Sequence, residues 1–173
     1  MLANIPNLIS VLRLLLVIPL FFSIRNYDVT LTILLIVAAY ITDLLDGWVA
    51  RKMNVISESG KIIDPLADKI FVGVFAFLLL LNGQLPLWFC LVILIRDVLI
   101  FTGGIFFKKK AGFVPPSNYT GKVAVVSVGV SLVFSLFEYH TVTFIWYIIS
   151  TLLLTISFTL YVFRMLKTLK EAK

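Results

Sequence analysis

The chain has 173 residues, of which 61% are hydrophobic and only 14% are charged, and its mean hydropathy is +1.07. A soluble domain averages about 45–50% apolar and about 25% charged residues, and a chain of this length cannot hide such an apolar excess in one core. The composition therefore excludes an ordinary soluble domain and a disordered chain, and it indicates an integral membrane protein. The single cysteine, Cys90, and the single histidine, His140, argue against a disulfide framework, a cysteine-based zinc site and a histidine-dependent triad.

Six apolar stretches approach the length of a membrane-spanning helix, which needs about 20 mainly apolar residues. In chain order they are Leu8–Ile24, Val29–Ala50, Ile62–Leu81, Leu85–Phe107, Val123–Phe137 and Thr143–Phe163. Turn-forming residues separate them, such as Asn82 and Gly83 before Pro86. The predicted fold is an all-α membrane bundle of six transmembrane helices, which forms one domain over residues 1–173.

The start of the chain carries polar residues at a regular spacing. Asn7, Ser10 and Arg13 recur every three residues and so share one helix face. This spacing predicts a short interfacial helix over Pro6–Arg13 that leads into the first span. The alternative is a plain helix end at which Arg13 extends to the membrane surface. The segment lacks the basic region and the small-residue cleavage site of a signal peptide.

The basic residues are distributed unevenly between the two sides of the predicted membrane. Only Arg25 lies near the loops of one side, whereas the other side has Arg51, Lys52, Lys61, Lys108, Lys109, Lys110, Lys122, Arg164, Lys167, Lys170 and Lys173. The positive-inside rule then places both termini in the cytoplasm. The net charge of +6 is assigned to membrane orientation and lipid headgroups, and no nucleic-acid partner is expected. Trp88, Trp146 and Tyr147 are expected to anchor the outer interface.

Four aspartates lie within or beside the second and third apolar stretches, where each charge costs at least about 2.5 kcal/mol near the helix centre. Asp43 and Asp46 are three residues apart, and Asp64 and Asp68 are four apart, so each pair shares a helix face. The polar loop 53–59 lets the two helices run antiparallel, so that the pairs meet. Four carboxylates make an all-oxygen site that suits Mg²⁺ or Mn²⁺, and two such ions can clamp the oxygens of a phosphoryl transfer.

Small residues and one arginine accompany the acids. Gly47, Ala50 and Gly60 have little or no side chain, so a ligand could approach the backbone closely, and Arg51 offers a forked cation for phosphate. Two other interpretations remain open at this point. The acids could pair with nearby basic residues in a packing network, or they could line an ion or proton pathway.

Residues 43–69 read DLLDGWVARKMNVISESGKIIDPLADK and contain the pattern D-x2-D-G-x2-A-R-x8-G-x3-D-x3-D. This pattern resembles the full signature of the CDP-alcohol phosphatidyltransferase family, and its fixed positions here are Asp43, Asp46, Gly47, Ala50, Arg51, Gly60, Asp64 and Asp68. The family's six spans with cytoplasmic termini also fit the chain. The resemblance implies an enzyme that moves a phosphatidyl group from a CDP-linked lipid to an alcohol and releases CMP.

The resemblance also implies a role for each signature residue. The four aspartates, Asp43, Asp46, Asp64 and Asp68, surround two ions of Mg²⁺ or Mn²⁺, and Asp68 is the general base. The CDP-lipid is held by Gly47, Ala50, Arg51 and Gly60. The implied partners are CDP-diacylglycerol, a small phosphorylated alcohol and membrane lipids, with a homodimer possible. The implied location is the bacterial inner membrane, with the active site facing the cytoplasm.

Two other segments bear on the acceptor alcohol. Residues Asn4–Arg13 and Asp64–Lys69 resemble those of the bacterial phosphatidylglycerophosphate synthase branch, which implies sn-glycerol 3-phosphate. Arg96 and Lys122 are the candidate cations for such an anionic acceptor. However, Arg96-Asp97-Val98 resembles the cardiolipin synthases of the same family, whose acceptor would be phosphatidylglycerol, and serine or inositol phosphate are further alternatives. Arg96 and Asp97 could also form a purely structural ion pair.

Two non-enzymatic classes compete with this interpretation. An ion-coupled transporter would more naturally show interrupted helices in two repeated halves, and no repeat is visible in this sequence. A membrane scaffold gives no reason to bury four acids. The complete eight-residue pattern favours the enzyme over both.

Overall fold

The computed structural model describes residues 12–52, 60–111, 119–137 and 139–171, and the side chains of these residues except 46–52, 60–68, 108–111 and 169–171. Every regular element in this part of the chain is an α-helix. The helices are α1 (Val17–Arg25), α2 (Val29–Lys52), α3 (Gly60–Leu81), α4 (Leu87–Ala111), α5 (Tyr119–Phe134) and α6 (His140–Glu171). The predicted all-α fold is confirmed for the described residues.

The helices differ in the length of their apolar segments. Among the described residues, Leu87–Phe107 of α4 and His140–Thr168 of α6 are long and apolar enough to cross a membrane. Val29–Leu45, Lys69–Leu81 and Tyr119–Phe134 are apolar but shorter. The described residues therefore contain six helices where six spans are predicted, and two of these helices have clear spanning length.

The first predicted span is not one uninterrupted helix. Residues 12–15 are helical, a turn at Leu16 follows, and α1 then begins at Val17. Pro19 explains the interruption, because it has no N–H to donate to the carbonyl of Leu15. The interfacial helix predicted over Pro6–Arg13 lies outside the described residues except for its last two. Arg13 itself is buried, which contradicts the alternative in which its side chain extends to the membrane surface.

Residues Met1–Gln84 form one compact unit, in which α1 contacts both α2 and α3. At the turn between α1 and α2, Asp28 accepts a hydrogen bond from the Leu31 N–H at 2.9 Å and so caps α2. The buried Thr32 hydroxyl donates to that of Ser23 at 2.9 Å. After α3, the Asn82 amide donates to the carbonyl of Ile24 at 2.9 Å. These bonds tie together the end of α1, the start of α2 and the end of α3.

Residues Leu85–Lys173 form a second compact unit, in which α6 contacts both α4 and α5. The rings of Phe89 and Tyr147 pack with centroids 4.6 Å apart, and the hydroxyl of Tyr147 lies 2.8 Å from that of Ser135. Tyr147 is only 5% exposed. The expectation that Tyr147 anchors the membrane interface is therefore wrong, because its ring packs against Phe89 of α4 and its hydroxyl is hydrogen-bonded to Ser135, just after α5.

Candidate active site

Asp43 is the signature acid whose side chain the structure describes, and it is paired with an arginine. Oδ1 of Asp43 lies 3.2 Å from Nη2 of Arg13. The Arg13 side chain is 2% exposed, whereas that of Asp43 is 41% exposed. Arg13 belongs to the helical turn before α1, and Asp43 lies in the second half of α2. A cation from the first helical segment thus reaches a carboxylate of the signature.

The backbone gives the other three acids defined positions along their helices. Asp46 lies on α2, and Asp64 and Asp68 lie on α3. The start of α2 and the end of α3 are tied at the same end of the unit through Ile24, Ser23 and Asn82. Counted from those ends at about 1.5 Å per residue, Asp43 and Asp68 both lie about 20 Å away, and Asp46 and Asp64 both lie about 25 Å away. This correspondence of axial distance favours the prediction that the two pairs meet.

The predicted metal site includes side chains beyond those that the structure describes. Those of Asp46, Asp64 and Asp68 are outside the description, as are those of Arg51 and Ala50. Among the described side chains, no three acidic, histidine or cysteine residues form a metal-binding group. Asp43 itself fits a divalent cation in its chemistry, because it is a partly exposed carboxylate whose contact with Arg13 uses Oδ1. The convergence of four carboxylates on Mg²⁺ or Mn²⁺ stays a prediction.

Arg96, a predicted acceptor residue, forms an ion pair with the residue that follows it. Its Nη1 lies 2.8 Å from Oδ1 of Asp97, and the two side chains are 13% and 31% exposed. The Nε of Arg96 is buried and has no hydrogen-bond partner among the described atoms. The structural ion pair therefore exists, yet the guanidinium retains a buried donor that could serve an anionic ligand.

Lys122, the other predicted acceptor cation, lies in the first turn of α5 and is exposed. Thr120, in the same turn, has a buried hydroxyl with no hydrogen-bond partner among the described atoms. The structure shows no contact between Lys122 and Arg96, so their joint role stays a prediction.

The contact of Arg13 with Asp43 and the buried hydroxyl of Thr120 were not predicted from the sequence. A signal for Arg13 was present, because a charged residue beside a long apolar stretch is costly and normally has a partner. The spacing of Asn7, Ser10 and Arg13 indicated a shared face but not the direction in which that face points. Thr120 carried no comparable signal, because a threonine near a helix start is common.

Every regular element in the described residues is helical, two of these helices are long and apolar enough to cross a membrane, and the acidic signature lies on α2 and α3. The family model described as CDP-alcohol phosphatidyltransferase matches residues 3–164. The chain belongs to the CDP-alcohol phosphatidyltransferase family and is a transferase of phospholipid biosynthesis.

The chain is also similar in sequence to individual members of this family. A CDP-diacylglycerol–glycerol-3-phosphate 3-phosphatidyltransferase of Aquifex aeolicus is 35% identical over 170 residues, which cover 91% of this chain and 93% of the relative. An enzyme of the same name from Rickettsia typhi is 38% identical over 100 residues, 56% of each chain. A Drosophila melanogaster protein named probable cardiolipin synthase (CMP-forming) is 33% identical over 118 residues, 68% of this chain and 36% of the relative.

Proposed function

We propose that this protein transfers a phosphatidyl group from CDP-diacylglycerol to sn-glycerol 3-phosphate, giving phosphatidylglycerophosphate and CMP. The observation that carries the proposal is the near full-length similarity to the Aquifex aeolicus enzyme, whose name states this reaction. The complete signature from Asp43 to Asp68 supports it, because all eight fixed positions of the pattern are present and lie within the range that the family model matches.

The reaction needs one bond made, one broken and one proton moved. The acceptor hydroxyl oxygen forms a bond to the phosphorus that carries diacylglycerol, and the bond from that phosphorus to the bridging diphosphate oxygen breaks. CMP leaves with the electron pair. Asp68 accepts the hydroxyl proton as general base, and Arg51, Gly47, Ala50 and Gly60 hold the CDP group. Bound Mg²⁺ or Mn²⁺ would supply neutralisation of the diphosphate charge.

The acceptor site would need positive charge for the phosphate of glycerol 3-phosphate. Arg96 offers a buried Nε donor without a described partner, and Lys122 offers an exposed ammonium at the start of α5. A charge-assisted hydrogen bond to phosphate is about twice as strong as a neutral one. These two residues are therefore our candidates for acceptor recognition.

The proposed setting is a six-span bundle in a bacterial inner membrane, with both termini and the acidic ends of α2 and α3 on the cytoplasmic side. The basic residues support this orientation, because all but a few lie at the ends that it places in the cytoplasm. CDP-diacylglycerol carries its diphosphate at the membrane surface, and glycerol 3-phosphate reaches that surface from the water, which fits acids near the ends of the apolar segments Val29–Leu45 and Lys69–Leu81.

A second acceptor deserves a direct test. The Arg96-Asp97-Val98 segment and the Drosophila melanogaster relative both favour phosphatidylglycerol, which would make the product cardiolipin. The chemistry at the signature would be the same, since only the attacking alcohol differs.

The deciding experiment is CMP release by the purified protein in detergent. CDP-diacylglycerol and Mg²⁺ or Mn²⁺ are supplied, and glycerol 3-phosphate, phosphatidylglycerol, serine and inositol phosphate are compared as acceptors. We expect metal-dependent release with glycerol 3-phosphate alone. Release with phosphatidylglycerol instead would replace the proposed acceptor and keep the family chemistry. Absence of release with all four acceptors would contradict the proposal.

A further inference from the structure

The ion pair between Arg13 and Asp43 is asymmetric in its burial. The arginine is almost completely enclosed, whereas two fifths of the aspartate side chain is exposed. A buried cation is costly unless it is paired and hydrogen-bonded, so the fold gains from keeping the Asp43 carboxylate in contact with Arg13. Arg13 is thus the buried member of the pair, and Asp43 is the member that solvent or a ligand can reach.

The contact engages one oxygen of the carboxylate. Nη2 of Arg13 approaches Oδ1 of Asp43 at 3.2 Å. The terminal torsion of an aspartate is broad when nothing restrains it, and a carboxylate has two oxygens that can accept bonds or ligate a metal. A guanidinium that holds Oδ1 restricts this torsion and gives Oδ2 a fixed direction.

We propose that Arg13 is a positioning residue for Asp43, and that it fixes the carboxylate so that its second oxygen is presented to the divalent cation of the signature. This inference rests on the proposed function. Arg13 lies outside the eight-residue signature and on a different helical segment from Asp43. In this proposal, Arg13 of the first helical segment restricts the orientation of the Asp43 carboxylate on α2. Removing a group that orients a metal ligand typically costs about 10–100-fold in metal affinity or activity.

Charge and position have opposite effects on metal affinity, which makes the inference testable. A cation beside a metal site repels the metal, so loss of the Arg13 charge alone would strengthen metal binding. Loss of a positioning contact would weaken it, because the carboxylate would have to be ordered when the metal binds. A merely structural pair would change the stability of the fold and leave metal affinity unaltered.

The experiment measures the Kd of Mn²⁺ by electron paramagnetic resonance on the full chain in detergent, with and without CDP-diacylglycerol. The variants are Arg13→Met, Arg13→Lys, Asp43→Asn and the double variant Arg13→Met with Asp43→Asn. Arg25→Met is the matched control, because Arg25 is an exposed arginine at the far end of α1. The melting temperature without metal and the separate kcat and KM values for CDP-diacylglycerol are recorded for each.

We expect Arg13→Met to raise the Mn²⁺ Kd about tenfold or more and to lower kcat more than it raises KM, with Arg25→Met unchanged. Arg13→Lys should recover part of the loss, and the double variant should bind Mn²⁺ no more weakly than Asp43→Asn, because the arginine acts through that acid. An unchanged or tighter Mn²⁺ Kd in Arg13→Met would overturn the inference. If Arg13→Met fails to fold, Arg13→Lys decides the question: a single ammonium restores only part of the contact, so a Mn²⁺ Kd equal to or tighter than that of the wild type would overturn the inference.

The inference and the proposed function fail in different ways. If the wild type binds Mn²⁺ but releases no CMP with any acceptor, the proposed function is wrong, and the Mn²⁺ comparison still decides the role of Arg13. If CMP release is observed and Arg13→Met binds Mn²⁺ as the wild type does, the positioning role is wrong and the proposed function stands.

Discussion

The hydroxyl of Ser131 on α5 lies 2.7 Å from the hydroxyl of Ser150 on α6, and both side chains are fully buried. Each also lies 2.9 Å from the carbonyl oxygen of Ser127. In the turn that follows α5, Ser135 meets the hydroxyl of Tyr147 at 2.8 Å. We call Ser127, Ser131, Ser135 and Ser150 the serine seam. Small residues let the two helices approach closely, and their hydroxyls add hydrogen bonds where lipid offers none.

The serine seam should contribute measurably to the stability of the second unit. Ser131→Ala removes the bond to Ser150, and such interhelical bonds average about 0.6 kcal/mol with a maximum of about 1.7 kcal/mol. We expect a loss of that size in the free energy of unfolding, measured by detergent-denaturant titration. Thr155→Ala is the control, because the exposed Thr155 hydroxyl bonds the Thr151 carbonyl of its own helix. Equal effects of the two variants would contradict an interhelical role.

Substitutions of two glycines on different helices, Gly129→Ala and Gly104→Leu, should change the stability of the protein in opposite directions. A Cβ at Gly104 would lie 3.4 Å from the Tyr161 hydroxyl oxygen, whereas a Cβ at Gly129 would have no atom within 4 Å. Gly129→Ala should stabilise the protein by about 0.5–1 kcal/mol, because alanine favours a helix interior. Gly104→Leu should destabilise it by about 1–3 kcal/mol through overpacking between α4 and α6. Thermal unfolding in detergent checks both values, and stabilisation by Gly104→Leu would show that these helices do not approach closely.

The helix positions could be predicted from the sequence because apolar stretches and turn residues mark them. Some helix ends could be predicted as well, since α2 begins at Val29 and α3 ends at Leu81 as expected, but others could not. α5 begins at Tyr119 and ends at Phe134, rather than covering Val123–Phe137, since polar residues such as Thr120 and Lys122 form helix as readily as apolar ones do. α6 likewise continues to Glu171, beyond the predicted end at Phe163. Hydropathy marks the part of a helix that lipid covers, whereas backbone hydrogen bonds set where the helix ends.

The signature residues of the candidate site could be predicted from the sequence, but the residues that contact them could not. Fixed spacing identified Asp43 as a site residue, but nothing local to the chain indicated that Arg13 would reach it, because their contact joins two helical segments. Tyr147 shows the same limit, since its type suggested a membrane interface and its partner Ser135 lies in the turn after another helix, α5. Contacts between helices depend on how the helices pack, which residue spacing alone does not specify.

Substitutions of Asp43 and Asp68 should have different effects, because Asp43 is predicted only to bind metal whereas Asp68 is also predicted to accept the proton. We expect Asp43→Asn to lose turnover together with affinity for metal and CDP-diacylglycerol, because it removes a predicted metal ligand. Asp68→Asn should lose turnover by about 10²–10⁴-fold, the usual contribution of a general base, while it retains more of that affinity. Binding of CDP-diacylglycerol and Mn²⁺ is measured beside CMP release. Equal loss of binding in the two variants would argue against Asp68 as the base.

The candidate acceptor residues should affect one substrate more than the other. Arg96→Ala or Lys122→Ala removes a charged hydrogen bond worth about 1.5–3 kcal/mol, so the KM for glycerol 3-phosphate should rise about 10–100-fold. The KM for CDP-diacylglycerol should change much less. Arg164→Ala, which removes an exposed arginine of α6, is the control. An unchanged acceptor KM would remove the substituted residue from the acceptor site.

The proposed orientation in the membrane can be tested by cysteine labelling. Cys90 is the single cysteine of the chain and is 1% exposed, so Cys90→Ala provides an unreactive background. In that background, Asn26→Cys places a thiol in the exposed turn between α1 and α2, and Lys167→Cys places one on the exposed final turns of α6. The basic residues predict that these positions lie on opposite sides of the membrane.

A membrane-impermeant maleimide should therefore label the Asn26→Cys protein in intact cells and the Lys167→Cys protein only after the cells are opened. Cys90→Ala without an added cysteine should stay unlabelled in both conditions. Labelling of Lys167→Cys in intact cells would reverse the orientation and place the acidic ends of α2 and α3 outside, away from cytoplasmic glycerol 3-phosphate. Labelling of both positions from the same side would instead contradict the six-span topology, because an odd number of spans separates Asn26 from Lys167 in a six-span bundle.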